Sequence, residues 1–185
     1  MDLRPVSCDP ACQQTLLVSQ TVMSAKEYKK TIAAQMSRVL SPAGYRRMGF
    51  QFTRDTGDVT HLVSLQASTA STSSALKATV NVAVWIPALE ENAKPDVWSA
   101  HWRNRIGHLM PEHSDIWWYA NSDEEAKSIG TQIAEAIRDF AIPILETLAT
   151  RRALLALWET GVSPGLTAVQ ADRFRRRLLS VVEAG

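Results

Sequence analysis

Three histidines, His101, His108 and His113, fall in one short stretch beside Glu112 and Asp115. These are the residue types that ligate divalent metals or shuttle protons. His101 and His108 are seven residues apart, compatible with one helix face, and Glu112-His113 lie just beyond. Hydrolytic zinc sites show tighter spacing, as in H-E-x-x-H, and the chain has no such run. Surface histidines near a loop are the ordinary explanation, and no metal or other cofactor is expected. Cys8 and Cys12 form a lone C-x3-C with no second cysteine pair and no histidine nearby in sequence. Two thiols in a terminal tail account for them. The chain has no G-x-S-x-G, no phosphate-cradling glycine loop and no cysteine beside a plausible base, so no catalytic residue is assigned. An enzyme remains the alternative, a hydrolase or a nucleic-acid-processing activity using the histidines and arginines, because sites assembled from distant residues leave no local motif.

A different chemistry is written between Gly44 and Ile86. The segments YRRMGFQFTR, VTHLVSLQAS and KATVNVAVWI read as three consecutive strands joined by turn-rich or small-polar connections. Alternation in the first places Met48, Phe50 and Phe52 on one face and Gln51 and Thr53 on the other. In the second, His61, Val63 and Leu65 oppose Leu62, Ser64 and Gln66. In the third, Val80, Val82, Val84 and Ile86 form a β-branched face that must be buried, under the first helix. The opposite face carries Gln51, Ser64, Gln66, Thr79 and Asn81, with Trp85 at one end. Amides donate and accept hydrogen bonds, and an indole gives rigid contact area, so this face suits binding better than bond-breaking. Gln51, Gln66, Asn81 and Trp85 are therefore candidate binding residues. The competing account is a half-buried polar network satisfied by the C-terminal helices.

Trp102-Arg103-Asn104-Arg105 and Arg46-Arg47 interleave basic and aromatic groups, and Trp117-Trp118 follow. Stacking plus charge could bind single-stranded nucleic acid, or the same groups could meet an acidic protein. The plainest account is aromatic core residues with solvated arginines between them. Trp102, Arg105 and Trp117 complete the candidate binding set.

The elements that must position these residues follow from patterning. Residues 1–23 read as a flexible extension, broken by Arg4-Pro5 and Asp9-Pro10. Residues 24–185 read as a single domain. Ser24-Ala25-Lys26-Glu27 is a capping box, and Tyr28, Ile32, Met36, Val39 and Leu40 recur at helical spacing until Ser41-Pro42-Ala43-Gly44 stops the helix. Asp55-Thr56-Gly57-Asp58 is a hairpin turn, and the serine- and threonine-rich stretch 67–75 is a loop. Asp96 could cap a short helix carrying Trp98, Trp102, Ile106 and Leu109. Residues 116–119 suggest a short fourth strand. Ser122 to Glu125 is a second capping box, leading a helix whose Pro143 predicts a kink or break. Helical patterning continues through Leu145, Leu148, Leu155 and Trp158, and Thr167 to Gln170 caps a last helix with Phe174, Leu178 and Val181 inside. The class is α+β: an N-terminal helix, an antiparallel meander of three to four strands and a helical C-terminal half.

With 185 residues and 45% hydrophobic content, the chain can bury one good core and has little room for a second. Twenty basic against 19 acidic residues give a net charge of +1, which argues against a dedicated nucleic-acid binder. No apolar run approaches the length that spans a bilayer, and no secretory signal is visible. The expected compartment is the cytoplasm, with its reducing conditions.

The run GYRRMGFQFTRD, followed by VSLQAS, VNVAVW, WRNRIG and WWY, resembles a bacterial family of uncharacterised proteins, domain-of-unknown-function family 4304. The likeness rests on Gly44, Tyr45, Phe52, Arg54, Gln66, Ser68, Asn81, Arg105, Gly107, Trp117 and Trp118 and runs over about residues 24–148. It implies architecture and brings no activity, cofactor or catalytic residue. Small size and the lack of a catalytic signature point to recognition of another protein. The specific expectation is an immunity protein neutralising a toxin, with a regulatory partner or an adaptor role for the C-terminal helices as the alternatives.

Overall fold

Helix α1 (Ala25–Leu40) begins at Ser24, whose side chain accepts from the Glu27 amide while the Glu27 carboxylate accepts from the Ser24 amide at 2.7 Å. Its stripe of Tyr28, Ile32, Ala33, Met36 and Leu40 is buried. The structure, a computed structural model, describes residues 23–90 and 94–183. The expected extension and its two cysteines lie outside the described residues, apart from Met23.

The sheet is antiparallel and open. Its strands β1 (Arg46–Met48), β2 (Gln51–Asp55), β3 (Thr60–Ala67), β4 (Leu76–Trp85) and β5 (Trp102–Arg105) are hydrogen-bonded in chain order. Strand β6 (Trp118–Ala120) pairs with the start of β4, on the edge whose other end is taken by β5. The stretch expected as one first strand is thus a hairpin. Met48 pairs with Gln51 around a two-residue turn, and Gly49 takes φ +63 at its first position, a conformation other residues rarely adopt. Phe50 sits in that turn under the Lys29 ammonium rather than beside Phe52.

One face of the sheet is apolar, as the alternation requires. Phe52, Val63, Leu65, Ala78, Val80, Val82 and Val84 are buried in one cluster with the stripes of α1 and α2 (Asp123–Ala136). Deleting a side chain such as Phe52 from it would cost about 3–5 kcal/mol. The Tyr28 hydroxyl donates to the Asn121 carbonyl at 2.8 Å and ties α1 to the end of β6.

Helix α2 runs through a wide π turn at Ile137–Ala141 into α3 (Ile142–Thr147). Pro143 stands just after that turn, and the widened turn is where the ladder absorbs its missing amide. The box at Ser122 is looser than expected. Ser122 accepts from the Glu125 amide, but the Glu125 carboxylate takes the Asn121 amide instead. Helices α4 (Arg151–Glu159) and α5 (Ala168–Glu183) follow. Asp58, in the β2–β3 turn, accepts from the Arg151 amide at 2.7 Å and pairs with its guanidinium, which fastens α4 to the sheet.

The helix expected over residues 96–109 does not form. Trp98, Trp102 and Ile106 are spaced by four, which imitates a helical stripe. Trp102–Arg105 pairs instead with Asn81–Val84, and Ile106–His108 is a single 3-10 turn. Residues 95–101 fold across one end of the polar sheet face, where Val97 and Ala100 join Leu62, Ala83 and Trp85 in a small second core.

Candidate functional site

Pairing register builds the outer face of the sheet. Gln51, Ser64, Asn81 and Arg105 are successive cross-strand partners, so one polar row crosses β2, β3, β4 and β5. Gln66 and Thr79 stand opposite each other one step along. The Asn81 amide donates to the Gln66 side-chain oxygen at 2.8 Å, and Thr79 donates to the Ile116 carbonyl at 2.9 Å. Gln51 donates to the Pro95 carbonyl at 3.1 Å and so anchors the segment that crosses the face.

Beyond the amides lies a platform of rings and cations. The Arg105 guanidinium sits 4.9 Å from the Trp117 ring centre, and the Lys77 ammonium sits 5.2 Å from the rings of both Trp117 and Tyr119. Each such contact contributes about 0.5–1 kcal/mol at an exposed site. Asp115 pairs with Arg105 and accepts from the Trp117 indole at 3.0 Å. Desolvation works to raise the Asp115 carboxyl, but the hydrogen bonds from Arg105 and Trp117, with the nearby positive charge, outweigh it and hold the group below the usual carboxylate range. Tyr119 is 62% exposed. A cleft of about 380 Å³ adjoins the amides and is lined by Asn81, Trp98, Arg103, Asn104, Arg105 and His108, among others. A second recess of about 490 Å³, at the β1–β2 end, includes Gln51, Met48 and Lys94.

Of the seven binding residues expected, Gln66, Asn81, Arg105 and Trp117 come together here. Gln51 is at the far end of the same row. Trp85 lies on the outer face but under residues 95–101, and Trp102 turns into the main core; they are 5% and 2% exposed. Their indole nitrogens lack partners among the described residues. The sequence reading does not assign Lys77 and Tyr119: the alternation Lys77-x-Thr79-x-Asn81 places Lys77, but only the β4–β6 pairing of Lys77 with Tyr119 places the second.

The three histidines of the 101–113 stretch do not converge. His108 and His113 face each other's backbone carbonyls through Nδ1 at 3.4 and 3.0 Å and close their own loop. His101 is buried; its Nδ1 accepts from the Ile86 amide at 3.0 Å, and its ring meets Phe174 of α5 edge-on at 4.6 Å. Burial, and then the Arg177 charge, push its pKa down to about 4. His61, on the inner face, is also buried. Its Nδ1 lies 3.5 Å from the Tyr45 hydroxyl and 3.4 Å from Arg54. Burial first and the Arg54 charge second push it down to about 4, and burial pushes the Tyr45 phenol up to about 12. Arg54 itself pairs with Glu146 at 2.6 Å and donates to the Ala43 carbonyl. No cluster of three His, Cys, Asp or Glu side chains that could hold a metal ion occurs among the described residues.

This arrangement defines an α+β domain with one sheet face under helices and the other partly covered: Thr79 and Asn81 are 0% and 6% exposed, and Gln51, Ser64, Gln66 and Lys77 are half-buried. Residues 36–147, more than half of the chain, match the family described as "Domain of unknown function (DUF4304)", and the protein belongs to that family. No curated protein and no solved structure matches it. No helix among the described residues is long and apolar enough to cross a membrane.

Proposed function

We propose that this protein is a non-catalytic recognition module that binds an acidic protein through the outer sheet face. The observation that carries the reading is the Lys77–Trp117–Arg105 stack beside the Asn81–Gln66 amides. Those rings and cations are already fixed by contacts within the face, so little side-chain freedom is lost when a partner docks. Arg105 is paired with Asp115, whereas Lys77 makes no ion pair among the described residues, and that unpaired charge favours an acidic surface opposite. Tryptophan and arginine are also the residues that most often dominate binding energy at interfaces. Neutralisation of a toxin, in the manner of an immunity protein, is the narrower form of this proposal, and it requires a toxin with an acidic docking surface.

A second reading has its own support. Tyr119 and Trp98, 62% and 57% exposed, stand beside cations in the way single-stranded nucleic acid is held. The near-neutral chain favours the protein partner.

The test is affinity purification from the source cells, identification of the partner, and titration of the two purified proteins. Lys77→Glu and Trp117→Ala should each weaken binding by at least about thirtyfold, the scale of an interface hot spot. Arg173→Glu on α5 should leave it within about twofold, as for a surface charge outside the interface. Full affinity in both face variants, or loss on the α5 change alone, would move the role to the C-terminal helices. Tight binding of a homopolymeric oligonucleotide, steeply weakened by salt, would favour the second reading.

A further inference from the structure

We infer that the cleft beside β5 is a receptor for an oxyanion, a carboxylate or a phosphate, with Arg103 as its principal contact. The inference does not rest on the protein-binding reading, because its principal contact is a different cation, although Asn81 borders both.

Arg103 is held in place by neutral groups. Its Nε donates to the Gly165 carbonyl at 2.8 Å, and one Nη donates to the Trp98 carbonyl. Among the described residues it makes no ion pair. Its neighbour Arg105 is paired with Asp115, as Arg54 is with Glu146 and Arg151 with Asp58. A guanidinium carries five N–H donors in a planar fork, so the two carbonyls leave donors over. Those donors sit on a side chain that lines the cleft. The positive charge is thus oriented but not neutralised.

Gly165 makes this possible. It takes φ +74, and a Cβ there would lie 2.2 Å from Arg103 Cγ and 2.5 Å from the Arg103 carbonyl oxygen. Only a residue without a side chain lets the 163–165 loop close down on the arginine. The rest of the cleft suits an anion with an organic body. Asn81 and Asn104 offer amides, and the exposed Trp98 indole offers a flat wall. A volume of about 380 Å³ falls within the usual range of small-molecule sites. The same chemistry could accept a free metabolite-sized anion or an acidic side chain presented by a peptide.

Calorimetric titration with inorganic phosphate, with succinate and with an acidic hexapeptide separates these sources, with arginine Nε resonances followed by NMR. Wild-type protein should bind at least one probe saturably, with the Arg103 Nε signal shifting. Arg103→Gln should weaken that binding at least about tenfold, and Arg103→Lys should fall between, since lysine keeps charge but not the fork. Gly165→Ala should weaken it as well. Lys77→Glu and Trp117→Ala should leave it unchanged. Binding of phosphate or succinate indicates a free anion, and binding of the peptide alone indicates a presented carboxylate. Absence of saturable binding by all three probes would overturn the inference. So would full affinity in Arg103→Gln, or in Arg103→Lys and Gly165→Ala together should the glutamine variant not fold.

Discussion

Lowering the pH from 7 to 5 should cost this protein about 4 kcal/mol of stability, through two histidines that folding keeps neutral. His61 and His101 are both buried, and both have pKa values pushed from 6.5 down to about 4. At pH 5 an unfolded histidine is almost fully protonated, whereas in the folded protein these two are mostly neutral. The unfolded state therefore binds more protons, and stability falls with pH across the window from 6.5 to 4. A group shifted this far contributes about 2 kcal/mol at pH 5. Two make about 4, a large share of the 5–15 kcal/mol typical of a domain. Urea unfolding followed by circular dichroism at pH 7, 6 and 5 measures the loss, and NMR titration of the imidazole carbons assigns it. Replacing His101 by glutamine should remove about half of the pH dependence. Stability that stays flat between pH 7 and 5, or imidazole midpoints near 6.5 for both residues, would refute the reasoning.

Other consequences are local. Arg54→Gln should move the His61 pKa upward, because the Arg54 charge is the second cause of its depression, yet leave it below 6.5, because burial remains. Loss of the Glu146 pair and the Ala43 hydrogen bond should cost about 2 kcal/mol in the same unfolding assay. Gly107→Ala would place a Cβ 2.2 Å from the Ser114 carbonyl oxygen, so a loss of about 1–3 kcal/mol in thermal unfolding is expected, with displacement of the 114–117 segment that carries Asp115 and Trp117. Gln66→Leu with Asn81→Leu removes donor and acceptor together, so stability should change by less than about 1.5 kcal/mol while partner affinity falls. A stability loss without any change in affinity would make the pair structural.

Much of this architecture is legible in the chain because it follows strict periods. The Ser24–Glu27 box, the stripe on α1 and the valines of β4 each encode one face of one element, and all three appear as read. The misreadings arise where two periods coincide. Met48, Phe50 and Phe52 alternate like a strand, but a glycine between Met48 and Phe50 lets the chain reverse. Trp98, Trp102 and Ile106 repeat like a helix, yet the free edge of β4 captures Trp102–Arg105 by backbone pairing, which no side-chain pattern announces. The polar outer face is legible as an amide row but not in its detail. Trp85 is covered by residues 95–101 and Trp102 turns into the main core beside Val84, and nothing local to either tryptophan signals its burial. The Lys77, Arg103 and Gly165 contacts join parts of the chain far apart in sequence, so they emerge only with the fold.

Hydroxyl-radical footprinting of the aromatic side chains, with and without the purified partner, addresses the recognition face most directly. Trp117 and Tyr119 should lose reactivity when the partner binds, while Phe174 on α5 keeps its own. Unchanged reactivity at Trp117 and Tyr119 together with protection of Phe174 would place the partner on the helical side and contradict the account.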